Sequence, residues 1–571
     1  MFSQKVSNLL NTNNTKKETE NAFINAAMKQ TNTTLSGNGS LKYTTTGNDF
    51  VDNFANVASF KKPRTYAEVA QDMQLLWSQN PELCLKLAVY IRMITRKTNT
   101  VDHFGSQKVK TLSTQRGQGL KNEGIMRMMW IAINHPQTFA ENIVIFIEAG
   151  SWKDIIVMMN LDLQYHGWDG RKLDWNFLGN VIYAGLMNET QTHLVRKYLP
   201  KIRTNGKART LESQADTIIG RWLARRIFKD MPANASYKEY RLMKSSGVAH
   251  KWQQLISKQL FNSINFNSIA GRALQQLVNS KFLDNHNLRD KYTEWITSQK
   301  TAKFTGFVFE LFKPLEPSGG WGSYNFANLG EAEKATINAQ FYGLVEKGKG
   351  DAKTTTRLLV ARDISGSMTS KATGCNMSSY SVAKALALYF SEFLTGPFAN
   401  SYVEFADQCR LVQWKGKTPV DKWVNDKNAN FGSTNFLSIA HLFADLKRRG
   451  LKESEFPEGL LCVSDGEFNG YYSNNETNFQ QFRSILLQAG FSKEYVDNFK
   501  LILWDIPNGY YGKTKPTFEE FANAPNSFHM SGYDPSIVAF LMDGDVNPCN
   551  SQELFMAAMN QELLNKLRVV D

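Results

Sequence analysis

The sequence predicts an α + α/β protein in which an all-α helical-repeat solenoid precedes a doubly wound parallel sheet. From about residue 64 to 310, apolar residues recur at three- and four-residue steps, the period of an amphipathic helix. Beyond residue 356, short apolar runs alternate with helical patterns, as they do in a sheet covered on both faces. At 571 residues the chain is also too long for one ordinary core.

The composition divides the chain into three parts. Residues 1–60 are rich in Asn, Thr, Ser and Gly, which predicts a flexible polar arm. Residues 61–350 form the predicted helical domain, and residues 351–571 form the predicted sheet domain.

The helical part opens with two well-marked helices. Segment 65–79 has apolar residues at helical spacing, and segment 81–97 ends with Arg92, Arg96 and Lys97, the charges that a helix carboxyl end prefers. Similar blocks follow at 119–133, 137–149, 151–159, 211–229, 249–260, 281–298 and 331–346. Because so many consecutive helices cannot form one simple bundle, we expect helix pairs stacked into a solenoid with degenerate repeats.

The sheet part alternates apolar strands with helices. We expect strands at 356–363, 401–407, 409–414, 459–465 and 500–506. We expect helices at 378–394, 435–449, 476–489, 535–542 and 551–568. Ligands of such parallel sheets bind at the carboxyl ends of the strands, so candidate site residues are sought there.

Oxygen-bearing side chains are predicted to converge at that edge. Asp363 ends the first strand and is followed by Ser365 and Ser367, Thr434 lies in a glycine-introduced loop, and Asp465 ends another strand. Carboxylate and hydroxyl oxygens suit Mg²⁺, and Mn²⁺ accepts the same ligands. Asp-x-Ser-x-Ser alone is also explained as a turn held by its own side chains. The three segments together predict a divalent-metal site with one position left for a partner's carboxylate.

Two neighbouring charges bear on this predicted site. Glu467 follows Asp465 closely and would support the metal ligands without binding the metal directly. Arg362 directly precedes Asp363, and a cation there would either weaken metal binding or form an ion pair with the site.

The chain resembles two known families. The metal set resembles the metal-ion-dependent adhesion site (MIDAS) of the von Willebrand factor A fold, in which DxSxS precedes a threonine in a G-T-N-like loop and an aspartate in a T/S-D-G stretch. The helical part resembles the TROVE region of the Ro autoantigen group, and more closely a related family that also carries a C-terminal von Willebrand A-like domain. The second resemblance rests on RGQG (116–119), INHP (133–136), EAGSWKDIIVMM (148–159), RKYLPK (196–201) and INFNSIAGRAL (264–274). It implies a HEAT-like solenoid closed into a ring, with single-stranded RNA ends entering the hole and structured RNA on the basic outer face.

The positive charge of the chain lies in its N-terminal part. Residues 352–571 carry 21 Lys and Arg against 24 Asp and Glu, or −3, which leaves 45 against 29, or +16, for residues 1–351. Such an imbalance favours a polyanionic partner, of which nucleic acid is the commonest, and a solvated lysine-rich surface is the alternative.

The strongest nucleic-acid pattern is 195–229, where Tyr198 and Trp222 interleave with basic residues. A second basic cluster contains Lys108 and Lys110 together with residues near the start of the next helix. Phosphates would bind the basic side chains, and an unpaired base would stack on an aromatic ring. We expect RNA contacts from Arg116, Lys121, Arg196, Lys201, Arg203, Lys207, Arg209 and Arg221.

Two functions from different classes fit these patterns. The first is a ribonucleoprotein subunit whose helical domain holds single-stranded or misfolded RNA, while its metal site docks a protein partner through an acidic side chain. The second is an assembly component, such as a viral structural or packaged protein, that uses the metal site without RNA. The Asn- and Lys-rich composition is weak support for the viral variant, for which we would expect a place in the virion.

Enzymatic activity and membrane contact are not expected. No HExxH, GxSxG triad or full P-loop pattern GxxxxGK[ST] occurs in the sequence. No apolar run reaches the ~18–20 residues that span a bilayer, and the first residues lack a secretory pattern. The five cysteines are scattered and odd in number, which favours a reducing, cytoplasmic location.

Overall fold

The structure is a computed structural model that describes residues 32–58, 63–94, 96–104, 107–203, 207–246, 251–317, 326–349, 357–373, 375–394, 398–427, 432–470, 476–506, 517–532 and 548–571. For residues 96–104, 107–114, 251 and 349 it describes the backbone alone. Within these ranges the chain is an α + α/β protein, with a helical part followed by a mostly parallel sheet.

Helices fill most of the first part of the chain. Local signals set their ends: Thr65 and Glu68 form a capping box at one helix start, and the Asn80 side chain caps the next helix ahead of Pro81. The helices are α1 (Asp49–Asn56), α2 (Tyr66–Gln79), α3 (Pro81–Arg92), α4 (Lys121–Asn134), α5 (Pro136–Glu141), α6 (Ile143–Ala149), α7 (Trp152–His166), α8 (Trp175–Met187), α9 (Thr192–Tyr198), α10 (Leu211–Ile227), α11 (Ala233–Ser245), α12 (Lys251–Ser257), α13 (Gly271–Val278), α14 (Phe282–Asn285), α15 (Arg289–Thr297), α16 (Val308–Leu311) and α17 (Glu331–Lys349). The predicted blocks do not include helices α1, α8, α9, α11, α13 and α16. In the described ranges, no helix combines the length and apolar character needed to cross a membrane.

A β-hairpin interrupts the helical part and corrects the predicted all-α architecture. Helix α3 ends at Arg92, and the predicted end at Lys97 was wrong. Strand β3 (Arg96–Phe104) instead pairs antiparallel with β4 (Gln107–Gln115). Threonine and valine recur through both strands, and these β-branched residues lose rotamer freedom in a helix and suit a pleated strand.

The structure also differs from the flexible arm predicted over residues 1–60, of which 1–31 lie outside the described residues. Strands β1 (Thr33–Leu35) and β2 (Leu41–Tyr43) form an antiparallel hairpin, and α1 follows with its amino end capped by Asn48. Helix α1 packs against the last strand of the sheet and the last helix of the chain. Asn, Ser, Thr and Gly form tight turns and helix caps as readily as they form a flexible arm, which is why composition misleads here.

The second part of the chain contains the sheet. Its strands are β5 (Leu358–Asp363), β6 (Ser401–Phe405), β7 (Cys409–Gln413), β8 (Gly459–Ser464), β9 (Lys500–Asp505) and β10 (Ser527–Ser531). Its helices are α18 (Ser379–Ser391), α19 (Pro419–Asn425), α20 (Leu437–Arg448), α21 (Asn478–Gln488), α22 (Lys493–Asn498) and α23 (Ser551–Met559). The helix predicted at 535–542 lies outside the described residues.

The six strands are ordered β10-β9-β8-β5-β6-β7. All neighbouring pairs are parallel except β6 with β7, which form an antiparallel hairpin at one edge. The first strand of the sheet in sequence, β5, therefore lies inside it, between β8 and β6. Parallel strands buried on both faces read as continuous apolar runs, and β5 and β8 are buried along their whole length.

Alternate residues of β5 face two different layers. Leu359 and Ala361 face a layer that contains α20 and α21. Leu358 and Val360 belong instead to a core that continues through α18 into the helices of the first part of the chain. The helical part is therefore packed directly onto one face of the sheet.

The segment after α23 returns to the helical part. The Gln561 side chain bonds the backbone of Arg116 from both sides: its Oε1 accepts from Arg116 N at 2.6 Å, and its Nε2 donates to Arg116 O at 2.8 Å. Further along, Asn142 Nδ2 donates to Arg568 O at 2.6 Å, and Asn142 Oδ1 accepts from Arg568 N at 2.9 Å. These bonds tie the end of the described chain to the starts of α4 and α6.

We expect Phe482→Ala to destabilise the protein by about 3–5 kcal/mol, because it leaves a cavity in the layer behind the sheet. Phe482 is fully buried on α21 and packs against Phe436 and Phe499. Leu487 lies on the same helix with 46% of its surface exposed, so Leu487→Ala should change stability by less than about 0.5 kcal/mol. Chemical denaturation of both variants measures the difference, and equal losses would contradict this packing.

Candidate functional site

Loops from the sheet meet at its carboxyl edge. Strands β5 and β8 are parallel neighbours, so Asp363 at the end of one and Ser464 at the end of the other emerge side by side. Asp465 directly follows β8, and Thr434 lies shortly before α20. We refer to residues 364–370, 432–436 and 465–470 as the first, second and third loops.

The first loop folds back on the aspartate that precedes it. Asp363 Oδ1 accepts a hydrogen bond from Ser365 N at 2.7 Å, and the hydroxyl oxygens of Ser365 and Ser367 lie 3.1 Å apart. A 3₁₀ turn over Gly366–Thr369 produces this arrangement. The turn that is held by its own side chains and the grouping of oxygen ligands therefore occur together in this loop.

Hydrogen bonds lock the three loops to one another. Ser464 Oγ donates to Asp363 Oδ2 at 2.5 Å, which joins the two strand ends from which the third and first loops begin. Gly366 N donates to Gly432 O at 3.0 Å, which joins the first loop to the second. The second and third loops are joined at Thr434, whose N donates to Asn469 Oδ1 at 3.1 Å and whose O accepts from Asn469 N at 2.9 Å.

The predicted metal ligands are buried and electrostatically strained. Asp363 is 0% exposed and Asp465 is 3% exposed, and the three hydroxyl residues are buried as well. Burial, and next the negative charge of Asp465, raise the pKa of Asp363 to about 7, although hydrogen bonds from Ser464 and Ser365 oppose the shift. The two carboxylates therefore lie close enough to repel each other.

Arg362 does not face the two carboxylates. Its guanidinium is fully buried on the other face of β5, where it contacts Asp426 Oδ2 at 2.5 Å and Glu404 Oε2 at 3.2 Å. Burial alone would raise the pKa of Asp426, but Arg362 and Lys384 outweigh it and hold that pKa well below its usual range. Strand alternation sends neighbouring side chains to opposite faces, so of the two alternatives considered for Arg362, the ion pair with the site was wrong.

This donor set fits a hard divalent cation. Two carboxylates and three hydroxyls are oxygen ligands of the kind that Mg²⁺ and Mn²⁺ take, and a cation between the carboxylates would relieve their repulsion. Within the described residues, no group of three or more His, Cys, Asp or Glu is arranged to hold a metal ion. Any metal bound at this edge would therefore depend on hydroxyl oxygens as well as on carboxylates.

Sequence reasoning missed two residues that organise the site. Ser464 bonds Asp363 from the neighbouring strand, and Asn469 bonds Thr434 through both backbone and side chain. Ser464 is the serine of the Ser-Asp-Gly stretch and Asn469 follows that stretch closely, so the only sequence signal was a polar side chain close to a predicted ligand. Ser464 and Asn469 reach residues of other segments because of the way the strands pair, and the sequence does not specify that pairing.

The basic residues of the helical part form a second candidate surface. Residues 196–244 carry 13 Lys and Arg against 4 Asp and Glu. The surface is built on α9, α10 and α11, and α11 contacts each of the other two helices. Four of the predicted RNA-binding residues in this range are exposed: Lys201, Lys207, Arg209 and Arg221.

Two other predicted residues in this range are less available. Arg196 is half-buried on α9. Arg203 is also half-buried, and its guanidinium donates to Ser213 O at 3.3 Å and lies 3.6 Å from Asp216. Arg203 is therefore partly paired within the protein and less available to bind a phosphate.

Helix α11 fixes the segment that presents Lys201. Tyr240 Oη donates to Pro200 O at 3.0 Å, and Arg241 Nε donates to Ile202 O at 3.4 Å. Lys244 Nζ donates to the carbonyl oxygens of Leu199 and of Lys197 at the end of α9, as a cation does at a helix carboxyl end. The exposed lysine therefore stands on a rigid turn.

The remaining predicted RNA contacts lie elsewhere. Arg116 is half-buried, and its backbone is bonded by Gln561. Lys121 begins α4 and lines a cavity of about 560 Å³ beside Tyr165, and burial and then Lys153 lower the pKa of Lys121. The side chains of Lys108 and Lys110 lie outside the described residues.

Aromatic rings accompany the basic surface. Tyr198 and Trp222 are half-buried, and Trp222 packs edge-on to Trp175 with ring centroids 5.3 Å apart. Trp168, which the sequence reasoning missed, is 40% exposed and has the Arg171 guanidinium 3.7 Å from its ring centroid. An exposed ring of this kind can stack on an unpaired base.

We expect the metal-free protein, held in EDTA, to lose stability as the pH rises from about 4 to about 7. The pKa of Asp363 in the fold is about 7, above its ordinary value of 3.8, so the folded state holds this proton more tightly than the unfolded state. Asp363→Asn keeps an oxygen acceptor and removes the titration, so its melting temperature should fall less over this range. Parallel pH profiles would contradict the electrostatic account.

Comparisons with known proteins give one family match over part of the chain and solved structures of low similarity. Residues 359–568 match a family described as a domain of unknown function, DUF7788, and no curated protein matches the sequence. One similar solved structure is the Ro (RSR) protein of Deinococcus radiodurans, with 14% identity, coverage of 88% of this chain and 94% of that chain, and a TM-score of 0.36. Another is an aerotolerance-related membrane protein from Bacteroides fragilis carrying multiple mutations to serines, with 12% identity, coverage of 35% of this chain and 98% of that chain, and a TM-score of 0.21. TM-scores this low establish no common fold, so the fold assignment rests on the strand order and contacts described above.

Proposed function

We propose that this protein docks a carboxylate-bearing protein partner through a divalent cation at the carboxyl edge of its sheet, and that its basic helical part binds RNA. One observation carries the docking proposal: three mutually bonded loops gather two buried, repelling carboxylates with hydroxyl groups. Burying two carboxylates side by side costs free energy when no cation lies between them, and the hydrogen bonds hold the loops in place before a cation binds.

The residues that would hold the cation are Asp363, Ser365, Ser367, Thr434 and Asp465. When bound, Mg²⁺ or Mn²⁺ would offer an acidic side chain of the partner a coordination position that the protein leaves open. Ser464 and Asn469 would keep the carboxylate of Asp363 and the backbone of Thr434 in place. Because Arg362 is paired on the opposite face, its positive charge would not occupy the cation's place.

The RNA proposal rests on the surface built by α9, α10 and α11. Its excess of basic residues, several of them exposed on a rigid turn or helix, would bind phosphates. Exposed Trp168 would add a stacking ring, which favours single-stranded RNA or the unpaired parts of misfolded RNA over a regular duplex. We further propose that consecutive helix pairs stack as in HEAT-like solenoids, and that the solenoid closes into a ring around RNA ends.

We expect Mg²⁺ to stabilise the protein against thermal unfolding relative to EDTA. At a Mg²⁺ concentration a hundredfold above Kd, the gain should be ~2.7 kcal/mol. Asp363→Ala and Asp465→Ala should abolish this gain, because each removes a charged ligand. Differential scanning fluorimetry with and without Mg²⁺ measures the effect.

Asp445→Ala is the matched control for this experiment. Asp445 is exposed on α20, away from the three loops, so this variant should keep the full Mg²⁺ effect. Identical melting curves of the unmodified protein in Mg²⁺ and in EDTA would refute the metal site.

We expect the full chain to bind a fluorescent single-stranded RNA with an affinity that falls steeply as salt rises, because binding of phosphates releases counterions. The triple variant Lys201→Ala, Arg209→Ala and Arg221→Ala should bind more weakly. Its salt dependence should be shallower by roughly 0.7 in log–log slope for each phosphate group that the variant no longer binds. Fluorescence anisotropy at several salt concentrations measures both quantities.

A control triple variant removes the same charge from the sheet part: Arg448→Ala, Lys493→Ala and Lys566→Ala, all at exposed positions. It should bind RNA as the unmodified protein does. Salt-independent binding, or equal affinity for heparin, would refute specific RNA binding and leave the assembly component without RNA as the better account.

A further inference from the structure

The N-terminal hairpin, formed by β1, β2 and their connecting turn, lies directly on the third loop. Gly37 N donates to Glu467 Oε2 at 2.7 Å, and Asn38 Nδ2 donates to Glu467 O at 2.6 Å. Ser36 Oγ donates to Phe468 O at 3.2 Å, and Gly470 N donates to Asn38 O at 2.9 Å. The turn of the hairpin therefore bonds three residues of the third loop: Glu467, Phe468 and Gly470.

The strongest link between the hairpin and the loop is a buried lysine. Lys42 is 1% exposed, its ammonium donates to Gly466 O, and it lies 3.1 Å from Glu519 Oε1. A buried ammonium is tolerated only when it is paired and hydrogen-bonded. The partners of Lys42 are the carboxylate of Glu519, outside the loop, and the carbonyl oxygen of Gly466 in the third loop. Gly466 adopts a left-handed φ of 70°, so the loop bends sharply where the lysine holds it.

This link continues to the predicted metal ligands. Gly466 N donates to Ser464 Oγ at 2.9 Å, and Ser464 Oγ donates in turn to Asp363 Oδ2. Lys42 thus holds Gly466 in place. Gly466 bonds Ser464, and Ser464 in turn bonds the carboxylate of Asp363. Gly466 also directly follows Asp465, so the same contact fixes the backbone of the second carboxylate.

The hairpin has its own support on the other side. Tyr43 exchanges backbone hydrogen bonds with Phe518 at 2.8 Å in both directions, and its ring lies 4.3 Å from that of Phe521. Glu519, between these two residues, is the partner of Lys42. The hairpin is therefore clamped between the third loop and the segment before β10.

We propose that Lys42 is a positioning residue for the metal site, and that the N-terminal hairpin sets the affinity of the site by holding the third loop in its binding shape. This inference rests on the proposed metal site. Charge alone would act in the opposite direction, since a nearby ammonium repels a divalent cation and its removal would tighten binding. The sign of the change in affinity therefore separates positioning from electrostatic repulsion.

The test uses the full chain and Mn²⁺ alone, with binding followed by electron paramagnetic resonance. Lys42→Met keeps the aliphatic stem and removes the donor, and we expect it to raise the Mn²⁺ Kd by roughly 10–100-fold, as removal of a group that supports metal ligands does. Gly470→Ala is an independent variant, because a Cβ at this position would collide with the Gly39 carbonyl oxygen and push the hairpin away. It should weaken Mn²⁺ binding in the same direction, even if Lys42→Met does not fold.

The matched control is Lys422→Met. Lys422 is also a largely covered lysine in an ion pair, 2.8 Å from Glu392, but it does not contact the third loop. This variant should bind Mn²⁺ as the unmodified protein does. Unchanged or tighter binding by Lys42→Met and Gly470→Ala would overturn the proposal.

A second readout needs no metal. In EDTA, amide hydrogen exchange of Gly466, Glu467 and Asn469 should be faster in both hairpin variants, while exchange in β5 and β8 stays slow. If the unmodified protein fails to bind Mn²⁺, the metal proposal falls, and this readout alone decides whether the hairpin orders the loop. Unchanged exchange would show that it does not.

Discussion

The structure depends on one constraint: two carboxylates are kept in the protein interior at the ends of adjacent parallel strands. Asp363 and Asp465 would each be better solvated in water, and each raises the electrostatic cost of the other. The fold offsets that cost with donors from several loops, of which Ser464 is the nearest. This arrangement explains why so many short polar contacts are concentrated at one edge of the sheet.

Strand β5 organises charge on both of its faces. Asp363 is directed to the three loops, while Arg362 is directed to the layer of α18 and binds Asp426 and Glu404. Asp426 directly follows α19 and lies shortly before the second loop in sequence. Strand β5 and the first loop that follows it therefore contact the connection that carries Thr434 at two points: Arg362 pairs with Asp426, and Gly366 bonds Gly432.

The sequence predicted most of the regular elements, because their signals are local. Apolar runs gave β5, β8 and β9, and helical spacing gave α2, α4 and α10 close to their observed bounds. The β3–β4 hairpin was missed because the helical spacing of the preceding segment continues into its first residues. The N-terminal hairpin was missed because few apolar residues mark it, and its stability comes from contacts with residues more than 400 positions away.

The sequence indicated which residues belong to the candidate site, but not which residues contact one another there. The spacing of Asp363, Ser365 and Ser367 is a local pattern, and the position of Asp465 follows from the end of a strand. The contacts of Lys42, Ser464 and Asn469 depend on which strands and loops become neighbours, and one sequence does not reveal this. The opposite orientation of Arg362, in contrast, follows from strand alternation, which is a local property of the sequence.

The continuous apolar core has a consequence for how the chain folds and evolves. Side chains of the helical part and of one sheet face share a single interior, and the last residues bind back to the helical part. A cut near residue 350 would open that interior to water on two fragments at once. The two parts should therefore melt together as one cooperative unit, and they would be poor modules for exchange between unrelated genes.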